Sequence, residues 1–141
     1  MLRLVLFIDL LLYLLHFGRA SLSFHESGKI EIVPLKALYV QGEFFDSFGE
    51  VIVRQVWTNN HVNPVASKYK FSLDTSAVVS GFEMKIGNQS WTGVVKAKST
   101  ARENFDEAVA SGKKSSILEK ISDNEYQVEI GPIPPSETAE I

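Results

Sequence analysis

Residues 50–58, EVIVRQVWT, alternate apolar and polar side chains with a period of two. That period belongs to a β-strand, whose successive side chains point to opposite faces. Val51, Val53 and Trp57 fall on one face, Ile52 and Val56 on the other. Both faces carry apolar residues, so the segment reads as a central strand. The same period returns in residues 67–73 (SKYKFSL), with Tyr69, Phe71 and Leu73 on one face; a further strand is expected at 78–86, with Val79, Phe82 and Met84 as candidate core. Shorter strands are expected at 29–33, 35–40, 91–98, 116–121, 126–130 and from 138 onward. Turn signals separate them, chiefly Asn59-Asn60-His61-Val62-Asn63-Pro64 and the pair Gly87-Asn88. Residues 41–49 hold two glycines, two acids and three phenylalanines, and read as a turn with anchoring aromatics. Residues 131–135, GPIPP, read as a loop, because proline cannot continue a central ladder.

One stretch breaks the pattern. Residues 101–116, ARENFDEAVASGKKSS, carry a helical period. Thr100 and Glu103 have the spacing of a capping box. Ala101, Phe105, Ala108 and Val109 fall on one stripe. Acids load the first turns, Lys113 and Lys114 follow the end, and Gly112 is a natural stop. The run Gly-Lys-Lys-Ser is not a phosphate loop. Glu107 stands where that motif needs a glycine, Lys114 where it needs a Ser or Thr, and Gly112 sits at a helix C-terminus instead of an N-terminus. Many short strands with one inserted helix predict a mainly β, β-sandwich-like fold.

The 141 residues fit one domain. With no cysteine there is no disulfide, no zinc–thiolate site and no thiol nucleophile. A net charge of −3 gives no basic surface for nucleic acid. Residues 1–20 read as a secretory signal peptide: Arg3 precedes an apolar run from 4 to 17, and Gly18 and Ala20 suit cleavage after Ala20. Asp9 inside the run is the awkward residue. The run is short for a stable membrane span. Residues 21–28 then read as a linker and 29–141 as the folded domain.

The expected secretory route gives meaning to Asn88-Gln89-Ser90, an N-glycosylation sequon. Lys96, Lys98, Lys113, Lys114 and Lys120 form a candidate polyanion patch if the hairpin, helix end and next strand lie side by side. The plainer reading is a set of solvated faces. His16, His25 and His61 do not pair at ligand spacing, so no metal or other cofactor is expected. Asp74-Thr75-Ser76 begins a metal-adhesion pattern but Val78 breaks it. No Gly-x-Ser-x-Gly elbow occurs, and no catalytic residue is expected.

The order of the motifs resembles the vault protein inter-alpha-trypsin (VIT) domain. The likeness rests on Ala77, Val79 and Phe82; Gly93, Val95 and Lys98; Ala101, Phe105, Ala108, Gly112 and Lys113; Leu118; and Pro134, Pro135, Glu137 and Thr138. With a leader in front, the chain looks most like the N-terminal part of an inter-alpha-trypsin inhibitor heavy chain. That resemblance implies a secreted, non-enzymatic interaction module tied to hyaluronan-rich extracellular matrix. Its partner would be an extracellular protein or glycosaminoglycan. Two other roles are compatible with the family: a subunit of a serine-protease-inhibitor complex, and an intracellular VIT scaffold whose apparent leader is kept. The family's von Willebrand type A domain and glycosaminoglycan-linking segment have no counterpart in these residues, and the last expected strand is incomplete.

Overall fold

A computed structural model describes residues 1–6, 20–46, 48–73, 76–93 and 118–141. These residues form eleven strands in two antiparallel sheets. The first sheet contains β1 (Leu2–Leu6), β4 (Leu35–Phe45), β5 (Phe48–Thr58), β7 (Val78–Ile86), β8 (Gln89–Gly93) and β11 (Thr138–Glu140). The second runs β3 (Lys29–Ile32), β2 (Ser21–Glu26), β6 (Val65–Ser72), β10 (Glu125–Ile133), β9 (Leu118–Lys120). The expected helix at 101–112 lies outside the described residues, as does the outer half of the expected 91–98 strand.

The core lies between the sheets. In β5 the residues Val51, Val53, Gln55 and Trp57 are buried and alternate with partly exposed ones, as the period of two demands. Tyr69, Phe71 and Leu73 face them from the second sheet, and Val79, Phe82, Met84 and Ile86 line the same layer. Tyr69 is the hinge of the packing. Its ring lies 6.3 Å from both Trp57 and Phe82, and its hydroxyl donates to Gln55 Oε1 at 2.7 Å. Burial of that phenol pushes its pKa far above the usual tyrosine value.

Three segments depart from the sequence reading. Residues 21–28, expected as a linker, form β2 and a tight turn. Leu22 and Phe24 are buried, so the polar look of HESG hid two core residues. Ser27 and Gly28 both have positive φ, which closes a two-residue hairpin to β3. The segment 41–49 is strand pairing rather than a broad turn: β4 runs to Phe45, and Phe45 opposes Phe48 across the tip. Gly42 and Gly49 flank the Phe44 ring, where any Cβ would press on it. Phe44, Phe45 and Phe48 stay exposed and anchor nothing in the core.

Residues 131–133 also belong to a strand. The β6–β10 register shifts between Ile130 and Ile133, and Pro132 falls within this irregularity, where a ladder tolerates a missing N–H. Leu2–Leu6 (β1), part of the expected leader, pairs with β5 on one side and β7 on the other.

Candidate functional site

The predicted site residues scatter. Asn88 sits in the exposed two-residue turn between β7 and β8, where Gly87 supplies the positive φ. Phe82 is core, and Gly93 gives it room: a Cβ there would lie 3.1 Å from the ring. Pro134 and Pro135 form the turn between β10 and β11, closed by a bond from the Glu137 N–H to the Pro134 carbonyl. Lys120 lies exposed on β9. Lys96, Lys98, Lys113, Lys114, Ala101, Phe105, Ala108 and Gly112 lie outside the described residues.

The structure brings together a group that spacing alone does not show. His61 Nδ1 lies 3.8 Å from Glu26 Oε2, and its Nε2 lies 3.6 Å from Glu31 Oε2. The two glutamates share a face because the Ser27-Gly28 turn folds β3 back on β2. His61 is held by its loop: its N–H donates to Asn59 Oδ1 at 2.8 Å, and its ring stands edge-on to Phe24 at 4.8 Å. One donor atom from each of the three lies within 4.8 Å of the others. An imidazolium would serve both carboxylates, and a neutral imidazole with two carboxylates offers three donors of the kind divalent metals accept. The side chains are largely open to solvent, so the ion pairs themselves contribute little. The sequence signal was the two-residue turn at Ser27-Gly28, which sets Glu26 and Glu31 on one face; nothing local pointed to His61.

Asn59 fixes that loop. Fully buried, it donates from Nδ2 to the Asn63 and Ile133 carbonyls, each at 2.9 Å. Its backbone N–H bonds the Glu137 carbonyl, and its carbonyl accepts from the Ser136 N–H. Every polar group of the side chain is thereby used, as a buried amide requires.

Two surface features complete the inventory. β4 is an edge strand with 11 residues, paired only to β5, and Leu38, Tyr39, Val40, Phe44 and Phe45 along it are exposed. Arg54 stacks over the Tyr39 ring at 4.2 Å. Long apolar edges are what proteins ordinarily blunt; along this one Lys36 and Glu43 are the charged residues. At the far side of the same sheet, a cavity of about 320 Å³ opens where β1 meets β11, lined among others by Met1, Arg54, Glu83, Trp91 and Glu140. Among the described residues, no helix is long and apolar enough to cross a membrane.

Two antiparallel sheets around one core, with an exposed edge strand, define the chain as a two-sheet β module. Sequence comparison agrees: the profile of the vault protein inter-alpha-trypsin domain matches residues 35–141, and the chain belongs to that family. It is 35% identical over 103 residues to protein mono-ADP-ribosyltransferase PARP4 of Mus musculus, covering 73% of this chain and 5% of that protein. The human PARP4 is 34% identical over 104 residues, covering 74% of this chain and 6% of its own length. A von Willebrand factor A domain-containing protein of Dictyostelium discoideum is 28% identical over 124 residues, covering 88% of this chain and 13% of that protein. The chain thus spans only a small fraction of these relatives. No solved structure matches it.

Proposed function

We propose that this chain is a non-catalytic interaction module of a secreted, matrix-associated protein. The exposed apolar edge of β4 carries the interaction part of this reading, since a chain that worked alone would gain solubility by losing it. The relatives are many times longer, and one is named for a von Willebrand factor A domain; this supports a module that works beside other domains. The enzyme among them is matched over 5% of its length, which leaves its transferase activity with the remainder. The leader pattern in residues 1–20 and the exposed Asn88 turn support secretion. The link to hyaluronan rests on the heavy-chain resemblance alone, with Lys120 the described member of the lysine set.

A second reading, an intracellular VIT scaffold, is favoured by β1: Leu2–Leu6 is built into the first sheet, and cleavage after Ala20 would remove it. One experiment separates them. Expressed in secretory cells, the chain should reach the medium with Ser21 as its N-terminus and a glycan that Asn88→Gln abolishes. A cytosolic product that keeps Met1 would establish the second reading instead.

A further inference from the structure

Glu26, Glu31 and His61 come from three separate elements: β2, β3 and the loop between β5 and β6. The β2–β3 hairpin sets Phe24 opposite Glu31 and Glu26 opposite Lys29, and residues that stand opposite share a face. Alternation along β2 puts Glu26 on the face of Phe24 as well. Phe24 is buried, so both carboxylates rise from the rim of the core and not from the outer surface of the sheet. His61 meets them there because its ring rests edge-on against Phe24. Its backbone N–H is pinned to the side chain of the wholly buried Asn59.

The charge of this group is unbalanced. With the imidazole neutral, one oxygen of each glutamate and one ring nitrogen lie within 4.8 Å of one another. Like charges at that distance disfavour each other. Lys29 shares the face, yet the close contacts described for both glutamates go to the imidazole. Two negative charges and three nitrogen and oxygen donors are the complement of one divalent cation. We propose that Glu26, Glu31 and His61 form a binding site for a divalent transition metal of the zinc class, each side chain giving one donor atom and water filling the remaining positions.

The distances suit such an ion. His61 Nε2 lies 3.6 Å from Glu31 Oε2, and its Nδ1 lies 3.8 Å from Glu26 Oε2. Zinc bonds of about 2.0–2.2 Å place tetrahedral neighbours roughly 3.5 Å apart, so closing the three donors takes shifts of roughly 1 Å. Both glutamate side chains are largely open to solvent and reach that position through ordinary rotamers. The donor set selects the metal. Magnesium and calcium take oxygen ligands, whereas an imidazole with carboxylates suits zinc, which also stands above manganese and iron in affinity. The ion would clasp the 59–64 loop to the β2–β3 hairpin, and through Asn59 to the β10–β11 turn. The site depends neither on secretion nor on what the module binds.

The test uses the full chain, freed of metal by chelator and titrated with Zn²⁺ or Mg²⁺ in calorimetry and thermal melts. One zinc ion per chain should bind, and the melting temperature should climb as free zinc rises. Magnesium should do neither. Glu26→Gln, Glu31→Gln and His61→Gln should each weaken zinc at least about tenfold, since loss of even an outer-shell partner costs about 10–100-fold. His25→Gln, on the opposite face of β2, should bind zinc as the wild type does. Binding should weaken as pH falls, because the imidazole must be free of its proton to ligate. No zinc-dependent rise in the wild type overturns the proposal, and so does an equal rise in the wild type and the three site variants. A metal-free chain that is stabilised by acid through His61 and ignores zinc would assign the group to an imidazolium held between two carboxylates, and also overturn it. Should His61→Gln not fold, the two glutamate variants carry the test, because both alter solvent-open side chains.

Discussion

At the scale of single residues, two buried polar groups fix the fold. Asn59 ties the 59–64 loop to the β10–β11 turn through the Ile133 and Glu137 carbonyls and the Ser136 N–H. Asn59→Ala would strip the Asn63 and Ile133 carbonyls of their donor, and each orphaned buried group costs about 1–3 kcal/mol. We expect a loss of about 2–3 kcal/mol in urea denaturation, with the midpoint falling and the slope unchanged. Tyr69→Phe leaves the buried Gln55 Oε1 without its donor and should cost about 1–3 kcal/mol by the same measurement. Tyr69 was legible as core because it sits in a period-two run. Asn59 was legible only as a turn residue, because its Ile133 partner is 74 residues away along the chain, a separation no local pattern records. The His61 group was hidden for the same reason.

At the scale of elements, β5, β6 and β7 follow their sequence periods because each has one face against the other sheet. The elements that were misread lack that contrast. β4 is exposed along nearly its whole length, so no buried face imposes an alternation on its sequence. β10 passes through Pro132 because a bulge relieves the ladder there.

The docking of β1 carries its own pH signature. Burial lowers the pKa of the Met1 ammonium from 8.0 to about 6; Glu83 and Glu140 oppose the shift and Arg54 adds to it. The docked strand therefore binds fewer protons than the free one between these values. Its stabilising contribution is fully present above pH 8 and is lost as pH falls through 6. Thermal melts of the Met1-retaining chain should show the drop, and N-terminal acetylation should flatten it. An unmodified chain whose β1 protection is the same at pH 6 and pH 8 would contradict this.

At the scale of the molecule, the chain is a vault protein inter-alpha-trypsin module that couples two sheets through one core. Family membership was legible from scattered motif residues: Phe82 and Gly93 now have a packing reason, while the helical members fall outside the described residues. The central structural claim is that the two sheets share one core, with Tyr69 of the second sheet packed against Trp57 and Phe82 of the first. Amide hydrogen exchange on the full chain tests it most directly. Residues 51–57 of β5, 67–71 of β6 and 79–86 of β7 are expected to exchange slowly and as one cooperative unit, and Tyr69→Ala to release all three together. Release of β6 alone, with β5 and β7 still protected, would show that the sheets do not share a core.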